Sequence, residues 1–396
     1  MANNDFYVET YSESLFKKGE ELCGDMVNVV RKPDETIMVL ADGLGSGVKA
    51  NILATLTSKT ISTLLSGDSD IDECVETMSD ILPVCSERGV AYSTFTILRI
   101  KHNGEVYTAE FDGPEFIMLR NGVLEELDKT MRIINGKEIW ESHFVAEPED
   151  MIISFSDGVI HAGIGRLINL GWKRDNVMQF VQTTYHAGMS SRDMTKGLID
   201  ICDHLYEGEP GDDTTVSTVR IRRRDVTRVM AGPASSLEKD REQVRTLMSS
   251  TGKKIVCGGT TSQIVAREIG EEIHVNLKCY TEEVPPTAEI EGIDLVTEGV
   301  LTLSAAEKRL KQLLEEYESN SRPKHPIDMT LKDGATRLAD MLVSECSDII
   351  FMMGQADNPA HHELDIAVNL NLKVRIVKNI AQMLEKFGKH TEIEYY

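Results

Sequence analysis

Four short acidic motifs in the first half of the chain have the residue types of a divalent-metal site. Asp42 and Asp157 each follow an apolar, strand-like run directly, and Asp212 and Asp213 directly precede another. A carboxylate at the end of a buried strand is costly unless an opposite charge neutralises it, and Mg²⁺ and Mn²⁺ prefer oxygen ligands. The sequence therefore predicts metal-assisted chemistry at a cluster of aspartates. The motifs are Gly24-Asp25, Ala41-Asp42-Gly43, Ser156-Asp157-Gly158 and Gly211-Asp212-Asp213.

Asp-Gly is also a common turn dipeptide, so each motif alone is a weak signal. Asp112-Gly113 and Asp333-Gly334 are interpreted as ordinary turns. The glycines that follow Asp42 and Asp157 would let the backbone turn sharply and bring a carbonyl oxygen close to a metal. The order of the four motifs, together with the strands beside them, favours a shared metal site.

The elements that must position these aspartates are mostly strands. Up to residue 225, β-branched or apolar runs are separated by turn signals such as Asn103-Gly104 and Asn121-Gly122. Few helical patterns intervene, which predicts an α+β domain. Strands are expected at Val27–Arg31, Thr36–Ala41, Tyr92–Arg99, Glu105–Phe111, Phe116–Arg120, Met151–Ser156 and Thr214–Ile221, and helices at Gly47–Leu65, Asp70–Ser86, Asn176–Thr184 and Ser191–Tyr206.

The pattern changes after the basic stretch Arg220–Arg224, which is interpreted as the end of a core strand and the start of a linker. Short buried strands then alternate with helices, which predicts a small α/β, Rossmann-like domain. We therefore expect two domains, 1–225 and 226–396.

The composition limits the class of protein. The 396 residues carry a formal net charge of −23, so nucleic acid and membrane surfaces are not expected partners. No apolar run of roughly 18 residues and no secretory signal is visible. The seven cysteines are scattered without a C-x-x-C pair, which favours reduced thiols and a cytoplasmic location. The sequence leaves the oligomeric state open.

Residues 18–221 resemble the SpoIIE-like branch of the metal-dependent PPM protein phosphatases, because the motifs occur in the family's order. Gly24-Asp25 matches the early G-D motif, and residues 41–50 (ADGLGSGVKA) match D-G-[ML]-G-x-G-x-x-A. Tyr92-Ser93-Thr94 matches the Y-[SA]-T motif of a central strand. Residues 149–158 match a segment that ends in S-D-G, with Glu149 where glycine is usual, and residues 211–216 (GDDTTV) match D-D-x-T-[VL].

The resemblance implies two packed antiparallel sheets with helices outside, an αββα sandwich, and a site for two Mn²⁺ or Mg²⁺ ions. Asp42 would bridge the two ions, with the Gly43 carbonyl on one of them. The other implied ligands are Asp157 and Asp212 on the second ion, Asp25 through metal-bound waters, and Asp213 beside them.

The implied activity is hydrolysis of phosphoserine or phosphothreonine on a bacterial regulatory protein, such as an anti-sigma-factor antagonist. Two such ions lower the pKa of a bridging water and stabilise charge on the transferred phosphoryl group. No serine or cysteine nucleophile is required, and Asp42, Asp157 and Asp212 are the residues expected to carry catalysis.

The family's better-known members grip phosphate with an arginine upstream of the first aspartate. This sequence has Lys17 and Lys18 there instead. Lys18 is the candidate phosphate ligand, acting as a point charge, and a solvated surface lysine is the alternative interpretation.

A second candidate site follows an apolar strand in the C-terminal domain, at Gly258, Gly259, Thr260 and Thr261. Glycine and hydroxyl residues at a helix N-terminus can form an anion nest, and a plain strand-turn-helix with a threonine cap is the alternative. The hypothesis is that this domain senses a small-molecule effector or holds a partner.

Two further functions remain open from the sequence. The first domain could bind a phosphoprotein without turnover, as a signalling scaffold. Alternatively, the second domain could act on a small phosphorylated metabolite, although no base or nucleophile stands beside its glycine loop.

Overall fold

The chain was analysed as a computed structural model that describes residues 6–81, 93–277, 280–322, 329, 331–356 and 363–396. It divides into two compact units. Unit 1 comprises Met1–Arg223 and Ser319–Arg322, and unit 2 comprises Arg224–Glu318 and Pro323–Tyr396. The chain returns to unit 1 at Ser319–Arg322. The predicted division into residues 1–225 and 226–396 does not include this return.

Unit 1 is built on two antiparallel sheets. Sheet A has the order β1-β11-β10-β6-β7, and sheet B has the order β2-β3-β4-β5-β9-β8, in the numbering that follows. The strands are β1 (Phe6–Leu15), β2 (Asp25–Arg31), β3 (Glu35–Gly43), β4 (Ser93–Lys101), β5 (Glu105–Phe111), β6 (Ile117–Arg120), β7 (Val123–Glu125), β8 (Thr130–Ile134), β9 (Lys137–Val145), β10 (Met151–Phe155) and β11 (Thr214–Arg223). The helices are α1 (Gly47–Ser66), α2 (Ile71–Ile81), α3 (Asp157–Ile160), α4 (Arg174–Thr184) and α5 (Ser191–Leu205).

Three apolar layers stabilise unit 1, and the side chains of β3 contribute to two of them. Its side chains alternate between faces, as they must in a strand. Ile37 and Val39 pack against α1 and α2, whereas Met38 and Leu40 pack against the strands of sheet A. A third layer lies between sheet A and helices α4 and α5. The result is the αββα sandwich that the sequence predicts, which confirms the expected α+β fold.

Unit 2 is an α/β unit on a seven-stranded sheet of order β14-β15-β16-β13-β12-β17-β18. The strands β16, β13, β12, β17 and β18 run parallel, and β14 and β15 are antiparallel additions. The strands are β12 (Val226–Ala231), β13 (Lys254–Cys257), β14 (His274–Asn276), β15 (Thr287–Glu289), β16 (Leu295–Thr297), β17 (Asp348–Met353) and β18 (His390–Tyr395). The helices are α6 (Leu237–Met248), α7 (Gly259–Ile269), α8 (Val300–Ser319), α9 (Gly334–Asp340), a π-helical turn at Met341–Glu345, and α10 (Glu363–Lys386).

Helices cover both faces of this sheet, as parallel strands require. Residues of α8, α9 and α10 pack on one face, and residues of α6 and α7 pack on the other. The order of the five parallel strands along the chain is third, second, first, fourth and fifth, so it reverses at β12. None of the helices in the described part of the chain has the length and apolar character needed to cross a membrane.

Candidate metal centre

Sheet B brings two aspartates side by side. Strands β2 and β3 pair antiparallel with Asp25 directly opposite Asp42, and opposed residues in such a pair have Cβ atoms about 5 Å apart. Asp25 is only 4% exposed. Ser93 supports this edge, because its hydroxyl donates to the Asp42 carbonyl oxygen at 2.9 Å. Tyr92, part of the predicted Y-[SA]-T motif, lies outside the described residues.

Sheet A supplies the other aspartates. Asp157 opens α3 two residues after β10 ends, and Asp213 directly precedes β11. The adjacent strands are joined at this point, because the Thr215 N–H donates to Ser156 Oγ at 2.9 Å and the Ser156 N–H donates to the Thr215 carbonyl at 3.0 Å. Asp213 is 5% exposed.

Two glycines allow these segments to approach closely. A Cβ at Gly43 would lie 2.1 Å from the Ala50 carbonyl oxygen, and one at Gly158 would lie 2.1 Å from the Asp213 carbonyl oxygen. No side chain fits at either distance. The Asp-Gly pairs at Asp42 and Asp157 therefore need glycine for backbone packing.

The aspartates share one electrostatic field. Burial raises the pKa of Asp42 to about 9, and the neighbouring carboxylates Asp25, Asp157, Asp212 and Asp213 add to this rise. Burial likewise raises the pKa of Asp25 to about 7, with Asp213 and Asp157 contributing. The pKa values of Asp157 and Asp213 are also raised, again chiefly by burial. Carboxylates from both sheets therefore converge, and their burial outweighs the opposing charges of His161 and Lys17 beside Asp157.

The donor set fits hard divalent cations. Asp25 Oδ2 and Asp213 Oδ2 are buried and have no hydrogen-bond partner among the described residues, which is costly for carboxylate oxygens unless a cation satisfies them. In the described portion of the chain, no three His, Cys, Asp or Glu side chains are close enough to ligate a single ion as they stand. Ligation would therefore require side-chain rotation or water ligands, which Mg²⁺ commonly keeps.

Lys17 is the lysine that the structure places beside this cluster. Its Nζ lies 3.3 Å from Asp212 Oδ1, and its backbone N–H donates to Asp213 Oδ1 at 3.0 Å. Lys18, the predicted phosphate ligand, instead pairs with Glu209 at 3.0 Å, and 62% of its side chain is exposed. The sequence offers no signal that separates these adjacent lysines.

The predicted anion nest lies in unit 2, at the start of α7. Gly258 has φ +127° and caps the helix, and Gly259 has no heavy atom within 4 Å of a side-chain carbon built on it. The Gly232 N–H donates to Thr261 Oγ1 at 3.0 Å. Gly259 and Thr260 are exposed.

Residues 32–222 match the family model described as Stage II sporulation protein E (SpoIIE). No curated protein matches the chain. Among solved structures, a PP2C phosphatase domain with a regulatory fragment of SpoIIE from Bacillus subtilis is 19% identical with a TM-score of 0.47, and the match covers 56% of this chain and 64% of that one. The chain thus spans less than two thirds of that SpoIIE fragment.

Two other solved structures are similar over slightly more than half of the chain. RsbX in complex with magnesium is 18% identical with a TM-score of 0.40, covering 54% of this chain and 95% of its own. The RsbU and RsbW domains of a Mycobacterium tuberculosis protein are 16% identical with a TM-score of 0.44, covering 60% and 67%. Because all three TM-scores lie below 0.5, the assignment of residues 32–222 rests on the sequence match.

Proposed function

We propose, from the match of residues 32–222 to the SpoIIE family of PPM-type protein phosphatases, that the chain is a cytoplasmic, Mn²⁺- or Mg²⁺-dependent phosphatase of phosphoserine and phosphothreonine. The observation that supports the metal site most is the convergence of Asp25 and Asp42 from one sheet with Asp157 and Asp213 from the other. A cation would satisfy the buried carboxylate oxygens of Asp25 and Asp213, which have no hydrogen-bond partner among the described residues.

The proposed ligands of two ions are Asp42, the Gly43 carbonyl, Asp157 and Asp212, with Asp25 and Asp213 acting through waters or neighbouring ligands. When bound, such ions lower the pKa of a water and stabilise charge on a phosphoryl group. The residues of the chain orient the phosphate and the ligands, since positioning and electrostatics dominate phosphoryl transfer.

Lys17 has a position that suits a phosphate-binding role. Its ammonium group is about one third exposed, so a phosphoryl oxygen could reach it, and its backbone N–H already holds Asp213. Contact with phosphate would compete with the Asp212 ion pair. Such a pair is weak when partly exposed.

The proposed substrate is a phosphorylated bacterial regulatory protein, such as an anti-sigma-factor antagonist. The match of residues 32–222 to the SpoIIE family model supports this class.

Hydrolysis of p-nitrophenyl phosphate and of a phosphoserine peptide, with and without Mn²⁺, tests the proposed activity. We expect Mn²⁺-dependent turnover that falls more than about a hundredfold in Asp42→Asn and Asp157→Asn, as when a preorganised electrostatic group is lost. Asp112→Asn, in an exposed Asp-Gly turn of the same unit, is the matched control and should retain activity. If the folded full chain binds the phosphopeptide but hydrolyses neither compound with any divalent metal, it is a non-catalytic scaffold.

A further inference from the structure

The carboxyl end of the parallel sheet in unit 2 has the layout of a ligand-binding crevice. The strand order reverses at β12, and in open α/β sheets ligands bind outside the carboxyl ends of the strands at such a reversal. A glycine follows each of the four central strands within two residues, at Gly232, Gly258, Gly299 and Gly354. Backbone groups at this edge can therefore come close to a bound molecule.

Lys373 of α10 reaches this edge. Its Nζ would lie 3.5 Å from a Cβ built on Gly232. Burial lowers the pKa of Lys373, while Cys257 and Glu298 act in the opposite direction, so all three groups lie near one another. Among the described residues, Lys373 Nζ has no hydrogen bond and no ion pair. The residue is half-buried, and an ammonium group held away from water without a partner is costly.

Glu298 presents the opposite charge across the same edge. Its Oε2 is buried and has no hydrogen-bond partner, although it directly follows β16. Lys373 and Glu298 are close enough to influence each other's charge, but no ion pair joins them among the described residues. Two opposite charges that influence each other without forming an ion pair suit a molecule that supplies a complementary group to each.

The space beside these charges is lined with hydrogen-bond donors. Gly259 has no neighbouring heavy atom in the direction of a side chain, and the first N–H groups of α7 have no partner within the helix. The bond from the Gly232 N–H to Thr261 Oγ1 joins the loop after β12 to the start of α7. A ligand that reaches Lys373 would therefore also lie near this helix start.

We propose that unit 2 binds a small metabolite at the carboxyl ends of β12, β13 and β16. Lys373 and the N–H groups of Gly259 and Thr260 take its oxyanionic group, and Glu298 takes an amino or hydroxyl donor. A nucleoside monophosphate and a free amino acid share this chemistry. The proposal is independent of the phosphatase site, which lies in unit 1.

Competitive acetylation of lysines in the full chain tests the proposal. The reagent is an N-hydroxysuccinimidyl ester, the readout is peptide mass mapping, and EDTA is present so that the phosphatase does not consume the probes. The probes are AMP, inorganic phosphate and an equimolar mixture of the twenty common amino acids, each at millimolar concentration. Lys378, an exposed lysine on the same helix, is the internal control.

We expect one of the probes to reduce acetylation of Lys373 relative to that of Lys378, the ratio being read because free amino acids consume part of the reagent and lower the acetylation of both. Protection of Lys373 by AMP alone indicates that the ligand is a nucleotide. Protection by both AMP and phosphate indicates a phosphate site, and protection by the mixture indicates that the ligand is an amino acid. Calorimetric titration with the active probe should then show binding about tenfold weaker or worse for Lys373→Met, and unchanged for Lys378→Met. Glu298→Gln, which keeps the shape of the side chain, provides the second test if Lys373→Met fails to fold.

The proposal is wrong if all three probes leave the acetylation of Lys373 relative to that of Lys378 unchanged. It is also wrong if Lys373→Met and Glu298→Gln bind the active probe as tightly as the unmodified chain. In either case the edge is a structural feature of the fold and not a ligand site.

Discussion

Asn320 Nδ2 donates a hydrogen bond of 3.2 Å to the carbonyl oxygen of Val27. Val27 lies on β2, two residues after Asp25. The other end of the same amide, Asn320 Oδ1, accepts a 2.5 Å bond from Ser12 on β1. One side chain therefore joins an edge strand of sheet A to an edge strand of sheet B beside the aspartate cluster.

We predict that Asn320→Ala loosens this end of unit 1. The substitution leaves the Ser12 hydroxyl and the Val27 carbonyl without their partner, which costs about 1–3 kcal/mol when such groups are buried. Hydrogen exchange of the β1 and β2 amides should become faster, while exchange in unit 2 stays unchanged. Ser12→Ala should be non-additive with Asn320→Ala in a double-mutant cycle. Full additivity would show that the two bonds are independent of each other.

A chain of residues 1–225 should be a weaker phosphatase than the full chain. It lacks the segment Ser319–Arg322, in which Arg322 also pairs with Asp200 and Asp203 of α5 at 2.7 and 3.0 Å. Adding a peptide that contains residues 319–322 is not expected to restore activity, because a short free peptide loses too much entropy on binding. Equal thermal stability and turnover of the two chains under saturating Mn²⁺ would contradict this prediction.

Lys17 and Lys18 form a matched pair for testing phosphate binding. Lys17→Met should lower kcat/KM for p-nitrophenyl phosphate about tenfold, the usual cost of one charge-assisted hydrogen bond. Lys18→Met should change it little, because Lys18 is exposed and paired with Glu209. A larger loss in Lys18→Met than in Lys17→Met would return the role to Lys18.

Gly158→Ala should disrupt the site through the backbone. The added methyl group would meet the Asp213 carbonyl oxygen, so we expect a loss of about 1–3 kcal/mol in the free energy of unfolding together with a loss of turnover. Gly197→Ala is the control within unit 1. It lies inside α5, has only an ordinary contact with Phe180 at 3.9 Å, and should gain up to about 1 kcal/mol. Thermal unfolding and the phosphatase assay measure both effects.

The stability of the metal-free chain should fall as the pH rises. The folded-state pKa values of Asp25 and Asp42 are raised to about 7 and about 9, above an unfolded value of about 4. The folded state therefore holds more protons, and its advantage is complete below the unfolded pKa and is lost as the pH rises through the folded values. Melting temperature in EDTA should decrease from pH 5 to about pH 8.5, with a smaller slope in Asp42→Asn.

Divalent ions should reverse this trend, because they bind the ionised carboxylates. The rise in melting temperature caused by Mn²⁺ should grow with pH in the same interval. If the rise were equal at every pH, or persisted fully in Asp42→Asn, the metal would bind elsewhere.

The aspartates could be found from the sequence because each stands at a strand end that is visible as an apolar run. The register that sets Asp25 opposite Asp42 follows once β2 and β3 form a hairpin with a short turn. Strand β1 was not predicted, since its sequence FYVETYSESL has the polar content of an exposed segment. It is nevertheless buried, and Glu9 accepts two bonds from Ser191, from its N–H at 2.7 Å and its hydroxyl at 2.8 Å.

Polar contacts between residues that are far apart in the chain could not be predicted from the sequence. Asn320 meets Ser12 across 308 positions of the chain, and no periodicity reports such a meeting. Lys373 lies in the middle of α10, where its pattern is that of an ordinary helical lysine. The glycines Gly258 and Gly259 after β13 could be identified from the sequence. That Lys373 and Glu298 lie near them depends on the tertiary structure of unit 2.

The discontinuity of unit 1 also sets the order of events during protein synthesis. The ribosome must add about 95 residues after Arg223 before Ser319–Arg322 exist, which takes on the order of 5–20 s at bacterial to eukaryotic elongation rates. During that interval β1 and β2 lack the amide that joins them. A nascent chain therefore acquires its finished aspartate cluster only after most of the C-terminal sequence has been translated, so truncated translation products should be poor phosphatases.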